Sequence, residues 1–251
     1  GFNAGLFTRN SGRLLWMTHP AWPSMTWQIY SHDYDTHAAF FGSKKGSEPV
    51  HVQVNLPDRR VAVVNSLGTP IAKGRVRIRN FALDGTLLEE RASAVDAAAY
   101  AVTEAGEAVP DALFARAAVV LTKLELFDQE GRLLSENLYW LAREPSAYRA
   151  MSDMQPVDIS VTTQVVATAD EQEIAATLTN PGSRPALMVK LTLLDAAGER
   201  VLPAYWSDNY VSLLPGETRT ITIRSPKSAP APVSIGVRGW NVVAGAVRVA
   251  P

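Results

Sequence analysis

Three tryptophans fall within twelve residues, in the run Trp16-Met17-Thr18-His19-Pro20-Ala21-Trp22-Pro23-Ser24-Met25-Thr26-Trp27, and this is the segment whose residue types stand out for chemistry. The flat apolar faces of sugars stack on indole rings, and a hexose pocket pairs such a ring with a few placed polar groups. The segment could therefore wall a carbohydrate site. The same rings could anchor a core at a domain junction, and the residues alone leave both readings open.

Other constellations are weaker. The chain has four histidines, and His32 and His37 are spaced five apart. That spacing misses the i, i+4 geometry that puts two imidazoles on one helical face for zinc, so no metal site is expected. Asp33 and Asp35 flank Tyr34 and would point different ways on a helix, which makes them a poor acid–base pair. A capping or turn role is expected for both. No glycine-rich loop has the spacing that cradles phosphates, so neither nucleotide nor other cofactor is implied. Ser31 and His32 are adjacent in sequence, which says nothing about a triad assembled in space. With no cysteine there is no disulfide, thiolate metal site or thiol nucleophile.

The 251 residues are 47% hydrophobic and 20% charged, an ordinary globular profile with enough apolar side chains for two or three cores. A formal net charge of -1 removes any broad electrostatic case for nucleic acid or an anionic membrane as partner. No apolar run approaches the roughly 18 residues needed to span a bilayer. The start, Gly1-Phe2-Asn3-Ala4-Gly5, lacks an initiator Met and a basic n-region. The chain reads as beginning inside a longer polypeptide, so the missing signal peptide says nothing about compartment.

The elements that must position the aromatic run come next. Arg13-Leu14-Leu15-Trp16-Met17 reads as an apolar strand, residues 18–24 as a loop held by two prolines, and Tyr34 to Ser43 as a short helix ending near Gly42. One such βα unit cannot bury both faces and needs a larger sheet to join. From Pro49 the period becomes two. Val50, Val52 and Val54 alternate with His51, Gln53 and Asn55, which predicts a strand with one buried face. Strand-like runs follow at 60–65, 74–83, 117–127 and 133–141, with turn signals at Asp84-Gly85 and Asp128-Gln129-Glu130-Gly131. The Ala-rich stretch 91–108 is ambiguous between helix and edge strand.

A second all-β block begins near Pro156, with strands around 159–167, 173–179, 187–194, 218–223 and 233–243. It echoes the first. In each block an asparagine (Asn65, Asn180) ends a strand, a proline (Pro70, Pro185) follows five residues later, and an Asp/Gly turn closes the next strand. Short alternating strands with regular turns predict two Ig-like β-sandwiches, at 49–145 and 156–251.

Trp16 through Trp27, with Tyr30, Tyr34, Phe41-Gly42, Lys44-Lys45 and 48–53, resembles the end of the catalytic barrel in glycoside hydrolase family 2, in its β-mannosidase, exo-β-glucosaminidase and endo-β-mannosidase branch. Residues 205–217, starting Tyr205-Trp206-Ser207-Asp208-Asn209-Tyr210, resemble a stretch of that branch's C-terminal Ig-like domain, and Gly239-Trp240-Asn241 its last strand. The resemblance implies a mainly β chain in which residues 1–48 are the last βα unit of a TIM (β/α)8 barrel ahead of the two Ig-like sandwiches. It puts Trp16 at the C-terminal end of the last barrel strand, lining the subsite of the cleaved sugar, with His19 and Trp22 nearby in substrate binding. Relatives carry Trp-Gln-Leu-Asn-Asp-Cys-Trp-Pro or Asn-Asn before Ala-Trp-Pro here. This chain has His19-Pro20, an imidazole of different reach and a residue with no side-chain hydrogen bond.

The resemblance further implies a retaining glycosidase, in which one carboxylic acid protonates the leaving oxygen and a second carboxylate about 5 Å away attacks the anomeric carbon. Both would come from earlier strands. Asp33, Asp35 and Glu48 match no catalytic motif, so this chain is expected to hold no catalytic residue. Expected partners are a β-linked oligosaccharide substrate and an N-terminal catalytic chain or domain of the same precursor, which would cover the strand edge and rings of residues 1–48. A periplasmic or secreted parent is expected. The competing class is a carbohydrate-binding or scaffolding Ig-like module, with Tyr205, Trp206 and Tyr210 as an exposed stacking platform.

Overall fold

The computed structural model describes residues 2–24, 28–167 and 171–249. It is mainly β and divides into two units, one of Gly1–Leu15 with Lys44–Met154 and one of Trp16–Ser43 with Gln155–Pro251.

In the first unit, strands β1 (Val50–Asn55), β2 (Arg60–Asn65), β3 (Ile71–Phe81), β4 (Leu87–Ala97), β5 (Ala101–Glu107), β6 (Val119–Phe127) and β7 (Leu133–Ala142) form two antiparallel sheets. Their orders are β1-β2-β5 and β4-β3-β6-β7. Val52, Val54, Val61 and Val63 from one sheet meet Val76, Ile78, Leu124 and Leu126 from the other in a single core. The Ala-rich stretch resolves as strand. β4 is paired with β3 from Ala97 to Leu87 and β5 with β2, so a continuous ladder overrides alanine's helical preference.

β1 differs from its expectation of one buried face, because His51 and Gln53 are buried along with the valines. Polar groups tolerate this only when bonded. The His51 Nδ1–H donates to Glu48 (3.2 Å) and its Nε2 accepts from the Asn137 amide (3.4 Å), while Gln53 donates to Asn55 Oδ1 (2.8 Å). Burial opposes ionisation of Glu48, but His51, Lys45 and Ser135 outweigh it and hold its pKa below the ordinary glutamate range.

In the second unit, β8 (Ser160–Ala167), β9 (Glu171–Thr179), β10 (Ala186–Leu194), β11 (Tyr205–Trp206), β12 (Val211–Leu213), β13 (Thr218–Pro226), β14 (Ser234–Arg238) and β15 (Gly245–Arg248) make a second sandwich. Its sheets run β11-β13-β9-β8 and β12-β10-β14-β15. Ile174, Leu178, Ile221 and Ile223 pack against Val189, Leu191, Leu193 and Ile235.

The repeat seen in sequence has a physical basis. The fully buried Asn65 donates to the carbonyls of Thr69 (2.9 Å) and Ala98 (3.1 Å) and accepts from the Leu67 N–H (3.0 Å). Asn180 does the same with Arg184 (2.7 Å), Leu213 (3.0 Å) and the Gly182 N–H (3.1 Å). Each amide closes the turn after its strand and ties it to a carbonyl 33 residues on, at Ala98 just past β4 and at Leu213 in β12. Two further buried asparagines act in the second unit. Asn209 bridges the N–H and C=O of Leu191 (2.8 and 3.0 Å), and Asn241 accepts from Leu187 (3.0 Å) and donates to Pro185 (2.9 Å). Beside Asn241, a side chain at Gly239 would meet the Leu187 carbonyl at 2.8 Å.

The leading segment departs from expectation in two places. Residues 12–18 form no strand, and Met17 among them is left-handed. The helix, α1, covers Ala38–Lys45 rather than starting at Tyr34, since Tyr34 sits at φ 62° in a hairpin closed by the Tyr30–Thr36 bridge. The alternative platform also fails in part: Trp206 is only 8% exposed and belongs to the sandwich core, where its indole faces inward from β11.

Removing either strand-end amide leaves an N–H and two carbonyls without their side-chain partner. Asn65→Ala and Asn180→Ala are each expected to destabilise their own unit by roughly 2–3 kcal/mol in urea denaturation. A loss under half a kcal/mol for either would show that the amide does not hold its turn.

Candidate functional site

The aromatic run sits on a loop that is exposed at its tip and anchored at its base. Trp16 is 80% and Trp22 69% exposed. Met17, between strand-like and turn backbone, takes φ 56°, a left-handed conformation uncommon for a residue with a side chain. The carbonyl of Thr18 accepts the N–H groups of Ile29 and Tyr30 (both 3.1 Å), which closes the base of the loop, and Pro20 and Gln28 are buried there. Trp27 lies outside the described residues.

His19 is half-buried, and its ring lies flat on that of Tyr34, with centroids 4.0 Å apart and planes 10° from parallel. A carbonyl oxygen can only accept, so in the 3.0 Å contact between His19 Nε2 and the His32 C=O the donor is Nε2–H. The structure thus brings His19 together with Tyr34, and holds Trp16 and Trp22 out to solvent.

Tyr34 is itself set by the hairpin. Ser31 donates to the Asp35 carbonyl through both its N–H (3.0 Å) and hydroxyl (2.9 Å), and the Asp33 carboxylate accepts the Asp35 N–H (3.3 Å). This is the turn role expected for Asp33. The ion pairs were not foreseen. Arg200 reaches Asp33 at 2.5 Å and Asp35 at 3.2 Å, and Lys190 reaches Asp35 at 3.5 Å. No spacing rule could have found them, because the partners lie 155 to 167 residues away. Burial opposes the charge on Asp33, but the Asp35 N–H and the Arg200 guanidinium outweigh it and lower its pKa. Beyond the hairpin, Phe41 is buried in the core of the second sandwich, with Phe40 packed alongside.

Glu48 is held by Lys45 (2.8 Å), His51 and Ser135 (2.8 Å) in the first unit, the setting of a structural carboxylate. Among the described residues no group of three His, Cys, Asp or Glu side chains could hold a metal ion. A half-open cavity of about 480 Å³ in the first unit is lined by Phe7, Tyr100, Asn55 and Glu104, among others. Its polar side chains are engaged, Asn55 by Gln53 and Glu104 by Arg60.

Comparison with known proteins places this geometry in a class. Residues 137–242 match the exo-β-D-glucosaminidase Ig-fold domain and residues 58–143 the mannosidase Ig/CBM-like domain. Residues 58–242 thus resemble Ig-fold domains found in glycosidases. It is 31% identical to the exo-β-D-glucosaminidase of Streptomyces avermitilis, over 92% of this chain and 28% of that enzyme. It is 23% identical to the mannosylglycoprotein endo-β-mannosidase of Lilium longiflorum, over 96% of this chain and 32% of that one. The crystal structure of Amycolatopsis orientalis exo-chitosanase CsxA superimposes with a TM-score of 0.86 at 28% identity, over 99% of this chain and 32% of CsxA. The chain therefore spans about a third or less of the proteins it matches. The resemblance read from its residues, to the C-terminal region of the β-mannosidase and exo-β-glucosaminidase branch of glycoside hydrolase family 2, holds.

The Asp33 pKa is lowered on folding, so its grip on the hairpin is complete above the unfolded-state value and is lost as pH falls through the lower folded-state value. Hydrogen-exchange protection of the 29–35 amides is expected to hold at neutral pH and collapse on the acid side of the ordinary aspartate range. Asp33→Asn should remove that acid step; an unchanged profile in the variant would assign the step to another group.

Proposed function

We propose that this chain is the C-terminal part of a retaining family 2 glycosidase acting on β-linked glucosaminides or mannosides. Residues 1–48 contribute the last βα unit of its barrel and an aromatic wall, with Trp16 stacking on the sugar and His19 and Trp22 beside it. Residues 49–145 and 156–251 are the structural sandwiches. The carrying observation is the pair of exposed indoles, Trp16 just before and Trp22 within a loop whose base is held by backbone bonds, ring stacking and ion pairs. A core anchor would be buried; a sugar wall must face out. Similarity over nine-tenths of the chain to exo-β-D-glucosaminidases supports the substrate class.

The catalytic carboxylates belong to an upstream chain or domain of the same precursor, in a periplasmic or secreted enzyme. The exposed Leu14 and Leu15 support this, because apolar side chains facing out are stable when another element covers them. The binding-module alternative loses its centre, since Trp206 is buried.

The purified 251-residue chain is expected to show no turnover of aryl β-glucosaminide or aryl β-mannoside; measurable turnover would falsify the assignment of the carboxylates elsewhere. Fluorescence titration with glucosamine oligosaccharides is expected to quench tryptophan emission. Trp16→Ala should weaken that binding roughly tenfold, the worth of one lost stacking contact. Equal affinity in the variant would remove Trp16 from the site. Native and denaturing mass spectrometry of the protein from its source would test the partner: a lone 27 kDa species in both counts against it.

A further inference from the structure

The geometry points to Arg200, a residue of the C-terminal Ig-like sandwich, as a positioning residue for the aromatic loop, and so for sugar binding at Trp16 and Trp22. This rests on the glycosidase reading for the sugar, but not for the positioning. Arg200 lies just after the turn at Asp195-Gly198 that follows β10, and Lys190 lies on β10 itself. The two cations reach the two carboxylates that flank Tyr34, and the three carboxylate contacts span 2.5 to 3.5 Å.

What those carboxylates hold is specific. Tyr34 sits at φ 62°, a strained conformation that persists only when its neighbours over-determine it. Its ring supports the imidazole of His19, whose Nε2–H is tied to the carbonyl of His32 in the same hairpin. His19 is three residues from Trp16 and three from Trp22. A continuous chain of contacts therefore runs from Arg200 through Asp33 and Asp35 to Tyr34 and His19, and ends between the two exposed indoles. Asp35 keeps Lys190 if Arg200 is lost, whereas the ion pair of Asp33 is made by Arg200 itself. A planar guanidinium fits two carboxylates at once, a geometry that a lysine ammonium reproduces only in part. The Ig-like sandwich is then a working part of the binding wall rather than a passive tail.

The test uses the full chain labelled with 5-fluorotryptophan, read by fluorine NMR. Arg200→Ala is expected to move and sharpen the Trp16 and Trp22 lines and leave that of Trp206, which reports the sandwich core, in place. Arg200→Lys should restore them in part, and the double variant Asp33→Asn, Asp35→Asn should repeat the Ala result. Arg224→Ala, which removes a surface pair with Glu171 in the same sandwich, should do nothing. In titration with glucosamine trisaccharide, Arg200→Ala should raise Kd about threefold, as follows if the binding-competent loop population falls to a third. Unmoved Trp16 and Trp22 lines in a folded Arg200→Ala chain would overturn the proposal, whatever the sugar does. Should Arg200→Ala perturb Trp206 as well, the Asp33, Asp35 double variant decides by the same criterion. If the wild-type chain binds no sugar while Arg200→Ala still moves both lines, the positioning stands and only the sugar reading falls.

Discussion

A primary amide has two donor hydrogens and one acceptor oxygen, and sealed inside a sandwich it must find partners for all of them. That demand organises both units. Asn65 and Asn180 meet it identically, by bonding the carbonyl four residues on, the N–H two residues on, and a carbonyl 33 residues on. Such an amide is satisfied only when the turn is closed and the distant strand is in register. It therefore couples a local conformation to a long-range one, which is what gives a β-sandwich a unique register rather than a family of slipped ones. Asn209 and Asn241 extend the arrangement in the second unit by capping β10 from two sides.

The two motifs that carry the resemblance to the Ig-like domain of glycosidases turn out to be these structural amides and their neighbours. Ser207-Asp208-Asn209-Tyr210 supplies Asn209, and also Asp208, which pairs with Arg219 at 2.9 Å. Gly239-Trp240-Asn241 supplies Asn241 and a glycine that lets two backbones touch. The aromatic loop obeys the opposite logic. Its indoles are left in water at an energetic cost, and its backbone visits left-handed conformations at Met17 and Tyr34. Strain and exposed apolar surface together mark a place shaped for contact with something else, whereas the amides mark places shaped for the fold.

Most strands were legible because alternation and turn residues agree along them, as in β3 or β9. The Ala-rich stretch was not, since its strand state comes from β3 and β2 lying alongside, which no local window contains. β1 misled in another way. Its polar residues look solvent-facing, yet Glu48, Asn137 and Asn55 satisfy them inside. The Asn–Pro repeat was visible as a pattern, while its reason appeared only with three hydrogen bonds on each amide. Around the loop, the tryptophans and the turn role of Asp33 could be read from residue type. The stack of His19 on Tyr34 and the grip of Arg200 could not, because the first depends on a left-handed residue and the second on partners more than 150 residues apart. Trp206 shows the converse error, an aromatic cluster that resembled a surface platform and is a core residue.

The second unit draws on two stretches of chain that bracket the first sandwich, residues 16–43 and 155–251. During synthesis the aromatic loop leaves the ribosome well before the residues that hold it, with 165 positions between Asp35 and Arg200. At the usual pace of translation this is a wait of roughly 10–30 s. The first sandwich, continuous from Lys44 to Met154, can close in that interval, before the ion pairs that hold the aromatic loop can form. A stretch made later thus sets the shape of one made well before it.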